Sequence, residues 1–161
     1  MILIIDNGSQ YTHLIKRTCR DLEYDAEIVN SKTKYEEIEG KIKDKKIEKI
    51  ILSGGPGSVY QDPPNLSSII CEKIKRGEIE VPLLGICYGH QMISHIFGAI
   101  VAKGKSAEYG FCEITIDKTD EILTDIPKKF RAWVSHFDEA KELPKDFVKL
   151  AHSESCEIEA M

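Results

Sequence analysis

Residues 81–86 form an apolar run that leads directly into Gly85-Ile86-Cys87-Tyr88-Gly89, and a helix-like stretch over 88–97 follows without a break. A strand can turn into a helix this abruptly only where glycines flank the turn and let the backbone fold sharply. Such a turn lifts Cys87 above the edge of a sheet. The unpaired amides of the helix and the positive end of its dipole then face the sulfur, which favours thiolate over thiol. The amide of Tyr88 is also placed to hold an oxyanion forming on a substrate carbonyl. Cys87 is thus either an exposed nucleophile or a buried structural thiol, and the G-x-C-x-G spacing favours the nucleophile.

The rest of the first hundred residues fits the same kind of sheet. Residues 2–5 are a continuous aliphatic run closed by Asp6-Asn7-Gly8, as suits a strand buried on both faces. Tyr11, Leu14, Ile15, Thr18 and Leu22 recur at helical spacing, with Ser9 as the expected N-cap. A short strand is expected over 26–29, a polar helix or broken helical segment over 34–45, a strand over 47–52 and a helix over 66–76 closed by Gly77. This alternation predicts right-handed crossovers and a doubly wound, mostly parallel α/β sheet with helices on both faces, of the flavodoxin-like kind. In such sheets ligands gather beyond the carboxyl ends of the strands. Cys87 and the loop Ser53-Gly54-Gly55-Pro56-Gly57 both belong there, so the amides of Gly55 and Tyr88 form a candidate oxyanion hole. A plain turn is the simpler reading of the glycine loop, and it lacks the lysine and hydroxyl of a phosphate-binding loop.

After Gly98 the pattern changes. Cys112, Ile114 and Ile116 alternate with polar residues, as do Cys156, Ile158 and Ala160, and residues 130–134 and 147–151 are short apolar runs. These predict half-buried strands of a small antiparallel extension.

Composition narrows the function classes. At 161 residues and 42% hydrophobic content the chain is read as a single domain, 1–161. A net charge of −5 with interspersed signs offers no nucleic-acid face and no polybasic membrane patch, and no apolar run approaches spanning length. The N-terminal apolar run reaches Asp6 too soon for a signal peptide, so the expected location is cytoplasmic. Five scattered cysteines without C-x-x-C spacing argue against a disulfide framework and against a zinc site, so no metal is expected.

A cysteine nucleophile needs a base. His90 and His95 share a helix with Cys87 and His13 lies on the first helix, which leaves His136, in Ser135-His136-Phe137-Asp138, as the internal candidate.

The residues collected so far resemble the triad (class I) glutamine amidotransferases, and more narrowly the amidotransferase of GMP synthetase. The resemblance runs through residues 5–12, 51–59 and 85–91, then Glu108-Tyr109-Gly110, 133–138 and Glu159-Ala160-Met161. It implies hydrolysis of the glutamine side-chain amide. Cys87 would attack the carboxamide, Gly55 and Tyr88 would hold the oxyanion, and Gly57, Gln91, Ser135 and Phe137 would hold the glutamine or line its pocket. It also implies that ammonia passes to a separate ATP-pyrophosphatase subunit converting XMP to GMP. No cofactor is then expected on this chain, with ATP and Mg on that partner. Members of this family continue past the Ala-Met pair into a strand carrying His-Pro-Glu, which supplies the base. The expectation here is a chain lacking that strand and its helix, with little turnover by residues 1–161 alone.

Two rival readings stay open at this point. One is the amidotransferase subunit of another synthetase, for anthranilate, carbamoyl phosphate or imidazole glycerol phosphate, against which Ser135-His136-Phe137-Asp138 counts. The other is a non-catalytic regulatory subunit that keeps the fold without turnover. A DJ-1-type cysteine hydrolase would leave the Gly54-Gly55-Pro56-Gly57 loop unexplained.

Overall fold

The aliphatic run after Met1 becomes β1 (Ile2–Asp6), the central strand of the first of two units in this computed structural model, which describes residues 1–119 and 121–161 apart from the side chains of 105–108 and 121. The units follow one another along the chain as Met1–Ile96 and Phe97–Met161.

In the first unit β1 pairs in parallel with β2 (Ala26–Asn30) and β3 (Lys49–Leu52), and β3 pairs in parallel with β4 (Leu83–Gly85), giving the order β2-β1-β3-β4. The strand period of two sends Ile2 and Ile4 to one face, where they pack with Ile15 and Cys19 of α1 (Thr12–Asp21). Leu3 and Ile5 point to the other face and are fully buried. Helices α2 (Tyr35–Lys43), α3 (Leu66–Lys75) and α4 (Tyr88–Ile96) pack against one another in series. The doubly wound, mostly parallel arrangement is therefore observed. Its winding reverses at β1, with β2 on one side and β3 and β4 on the other, and a crevice at the carboxyl ends of β1 and β3 follows from that reversal.

Local chemistry moves some boundaries. Ser9 is not the N-cap of α1; the helix begins two residues later, behind Tyr11, and the Ser9 hydroxyl accepts the Tyr11 amide at 3.1 Å. The delay comes from Asp6, whose carboxylate accepts from the Gly8 amide at 3.0 Å and the Thr12 hydroxyl at 2.7 Å, with Gly8 at φ +93. Strand β4 is shorter than the apolar run 81–86, since Pro82 has no amide to give to a ladder. At α3 the cap is well made: the Asn65 side chain accepts the Ser68 amide at 3.1 Å and the Ser68 hydroxyl accepts the Asn65 amide at 2.9 Å.

The second unit is an antiparallel sheet, ordered β6-β5-β7, of β5 (Val101–Ile116), β6 (Lys129–Ala140) and β7 (Ala151–His152). Alternation gives the β5–β6 ribbon two faces. Ile114, Ile116, Leu123, Leu150 and Ala151 bury one of them, with Cys112, Phe130 and Ala132 packed alongside. On the other, Tyr109, Phe111, Trp133 and Phe137 are exposed. Tyr109 meets Phe137 edge to face at 6.4 Å, Phe111 meets Trp133 at 5.2 Å, and Arg131 sits 5.3 Å over the Phe111 ring. Asp117 accepts from the His152 ring at 2.8 Å and faces Lys149 at 3.5 Å, and these partners hold its carboxyl below its usual range.

Two expected strands differ here. The run 147–151 contributes only its last residue, to β7, and the alternation over 156–160 is not a strand but a single bridge between Ala160 and Ala151. A tight turn intervenes, with the Ser153 hydroxyl accepting the Cys156 amide at 2.9 Å and the Ser153 amide donating to the Cys156 carbonyl at 2.8 Å. Cys156 and Ile158 are nonetheless buried, so the apolar period reports packing rather than a ladder. Of the motif Glu108-Tyr109-Gly110, the Glu108 side chain lies outside the described residues.

Candidate active site

Strand β4 and helix α4 meet at Cys87, which has φ +51 and is exposed to solvent. Left-handed backbone at a residue with a Cβ costs about 1–2 kcal/mol, so the surroundings must impose it. Two glycines show how. A Cβ on Gly85 would lie 2.5 Å from the Gly89 carbonyl, and a Cβ on Gly89 would lie 2.5 Å from the Leu52 carbonyl oxygen. The first turn of α4 therefore rests directly on the backbone of β3 and β4, and Cys87 is bent outward between them.

The sulfur's setting differs from the sequence expectation in one respect. Partial desolvation holds the Cys87 thiol above its ordinary pKa, and the Tyr88 amide, which donates to the sulfur, pulls downward without overcoming this. The helix terminus does supply its donor, but the protein packed beside the sulfur outweighs it. Desolvation thus works against the thiolate that the helix terminus alone would favour.

Beside it runs the turn after β3. A Cβ on Gly54 would sit 3.5 Å from the Cys87 Cβ, so this turn and the nucleophile are neighbours. Gly55 must be glycine, because a Cβ there would run into the Asn7 carbonyl oxygen. Asn7 in turn joins the ends of two strands and a helix. Its amide donates to the Ser53 hydroxyl at 2.9 Å, its Nδ2 donates to the Ser53 carbonyl at 2.9 Å, and its Oδ1 accepts from the Ser67 hydroxyl at 2.7 Å. Ser53 and Ser67 are fully buried. This polar lock at the switch between β1 and β3 fixes the glycine turn against the sheet.

Tyr88 is 2% exposed, and its hydroxyl donates to Asp62 Oδ2 at 2.9 Å. Burial, and then this carboxylate, push its phenol up to about 12. Gly57 lies against the Asp62 carboxylate, which a Cβ there would push aside, and Gln91 is buried in the first turn of α4. Cys87, Tyr88, Gly55, Gly57 and Gln91 are thus gathered at the carboxyl end of the parallel sheet. On the same helix, the His95 ring stands edge-on to Tyr60 at 5.3 Å.

The remaining candidates lie on β6, where Ser135 and Phe137 share the exposed face and His136 points to the other, half-buried one. The trio therefore does not converge on one surface. Asn7, Asp62 and Asn65 are site-edge residues that sequence reasoning did not single out. Asn7 had a visible signal, as the polar residue closing the first strand, whereas Asp62 had none, since its partner is 26 positions away. Among the described residues no group of three or more His, Cys, Asp or Glu side chains is arranged to hold a metal ion.

A family model described as glutamine amidotransferase class-I matches residues 3–161. Similar proteins include the glutamine-hydrolyzing GMP synthase subunit of Pyrococcus abyssi, 46% identical with 100% of this chain and 81% of that protein covered. The protein of the same name from Methanocaldococcus jannaschii is 38% identical, covering 100% of this chain and 80% of that one. Among solved structures, a GMP synthase subunit from Thermoplasma acidophilum superposes with a TM-score of 0.80 at 32% identity, over 96% of this chain and 73% of that one. A glutamine amidotransferase of Thermotoga maritima, at 23% identity and a TM-score of 0.73, shares the fold over 96% of this chain and 67% of its own.

Proposed function

The chain belongs to the class-I glutamine amidotransferase family, and from this we infer that it is the glutamine-hydrolysing subunit of a GMP synthase. It converts glutamine to glutamate and delivers the ammonia to a separate synthetase subunit. We propose that this partner is an ATP-pyrophosphatase that makes GMP from XMP, that ATP and Mg act there rather than on this chain, and that both proteins are cytoplasmic. Among the described residues no helix is long and apolar enough to cross a membrane.

The roles follow from the chemistry of amide hydrolysis. Cys87 Sγ bonds to the carboxamide carbon while its proton passes to the departing nitrogen. The carbonyl oxygen becomes an oxyanion facing the amides of Gly55 and Tyr88, and ammonia leaves a glutamyl thioester. Water then attacks the thioester, and glutamate leaves as the thiol regains its proton. Gly57, Gln91, Ser135 and Phe137 are the groups we assign to the substrate, from their match to the family's motifs.

One observation carries this reading: an exposed cysteine in left-handed conformation, with the next amide donating to its sulfur and a glycine turn against its Cβ. A chloroketone analogue of glutamine tests it. Cys87 is expected to be alkylated well ahead of Cys19 or Cys112, with protection by glutamine, and a Cys87→Ser chain with its synthetase should show no glutaminase turnover above background. Equal labelling of Cys112, or no protection by glutamine, would overturn the assignment.

A further inference from the structure

The two oxyanion donors sit on separate segments, Gly55 in the turn after β3 and Tyr88 at the start of α4. A tetrahedral oxygen bridges them only if their spacing is held to a few tenths of an ångström, so the spacing needs a physical keeper. Main-chain packing supplies part of it through Gly89 and Leu52. The Tyr88 side chain supplies a second tie, on the other side of the turn.

Its ring is buried, and its hydroxyl leaves α4 to reach the loop that continues from Gly55. There it donates to Asp62 Oδ2 at 2.9 Å and accepts from Asn65 Nδ2 at 3.4 Å. Asp62 belongs to a tight turn, its amide donating to the Ser58 carbonyl at 3.0 Å, and its carboxylate lies against Gly57. Asn65 is anchored as the N-cap of α3. A hydroxyl bonded to a carboxylate makes a stronger bond than one bonded to a neutral acceptor, and Asp62 is otherwise an exposed loop residue with no packing reason to face inward. The same tyrosine therefore offers an amide toward the sulfur and a hydroxyl toward the loop that carries the second donor.

We propose that Tyr88 is a positioning residue for the oxyanion hole, fixing through its hydroxyl bond to Asp62 the distance between its own amide and that of Gly55. This rests on the reading of Gly55 and Tyr88 as the oxyanion donors. The side chain does not touch substrate; it acts through the loop.

Glutamate γ-semialdehyde separates this role from a merely structural one. The Cys87 sulfur adds to its aldehyde carbon, and the thiol proton ends on the former carbonyl oxygen, which lies in the oxyanion hole. Iodoacetamide alkylates the same sulfur by displacing iodide and uses no such hole. With Tyr88→Phe, which keeps the ring and removes only the hydroxyl, affinity for the aldehyde is expected to fall about tenfold while the alkylation rate stays within about twofold. Asp62→Ala, at an exposed position, should give the same split, and the double variant should be no worse than either single one. Aldehyde affinity at the parent level in either variant, an equal loss in alkylation, or single effects that multiply in the double variant would overturn the proposal. If Tyr88→Phe does not fold, Asp62→Ala decides alone. If the parent chain alkylates at Cys87 yet does not take up the aldehyde, the glutaminase reading itself fails, a result distinct from the others.

Discussion

At the carboxyl edge of the parallel sheet, backbone meets backbone: Gly89 rests on Leu52, Gly55 on Asn7, Gly85 on Gly89. On the β5–β6 ribbon, side chain meets side chain, and Gly110, at φ +126, has nothing within 4 Å of where a Cβ would stand. The first region places reactive groups by excluding every alternative position, whereas the second presents an aromatic surface on a ladder that would tolerate many. Chemistry that needs a fixed sulfur and fixed donors belongs to the first kind of construction.

The sharpest way to break this contrast is a methyl group at each glycine. Gly89→Ala should destabilise by more than about 4 kcal/mol in denaturant unfolding, since backbone must move, whereas Gly110→Ala should cost about 1–3 kcal/mol of backbone strain alone. Equal costs would mean that the two regions are built alike. A smaller effect contrasts the two faces of the ribbon. Ile114→Ala, in the buried cluster, should cost about 2–4 kcal/mol, and Phe111→Ala, on the exposed face, about 1 kcal/mol or less from the lost edge-to-face pair and the Arg131 contact.

The smallest effect at neutral pH is an alkaline decline from two buried groups of the first unit. Burial raises the Cys71 thiol from 9.0 to about 12 and, with Asp62, the Tyr88 phenol from 10.0 to about 12. Both groups stay protonated in the fold at a pH where the unfolded chain ionises. Their contribution is complete below pH 9 and declines as pH rises toward 12. Asp117, with its lowered pKa, works in the opposite direction: its contribution is present above the usual carboxylate range and is lost as pH falls through the lowered value. Unfolding curves against pH should show the alkaline decline flattened in Cys71→Ala.

How far the sequence foretold each region follows from the range of the interactions involved. The elbow was legible because its glycines, its cysteine and its helix lie within a few positions of one another. The doubly wound, parallel class of the sheet followed from the alternation of elements, whereas the order β2-β1-β3-β4 did not, because alternation does not say which strands pair. The late start of α1 was not legible, because Asp6 competes for Thr12 through a side-chain bond that no periodicity records. Nor was the length of β5, whose polar stretch after Val101 alternates on neither face. The bridge at Ala160 in place of a strand shows that a two-residue period states which side chains are buried and not whether a ladder forms. The Cys87 pKa ran against expectation because desolvation depends on what packs nearby, which local spacing does not contain.

Trp133 is the only tryptophan in the chain, and it stands on the outer face of the ribbon beside Phe111. Its emission in the native state already comes from an indole in water, so denaturation changes its colour little. A blue shift would instead signal something settling over that face. Intrinsic fluorescence thus becomes a gauge of surface occupancy rather than of unfolding.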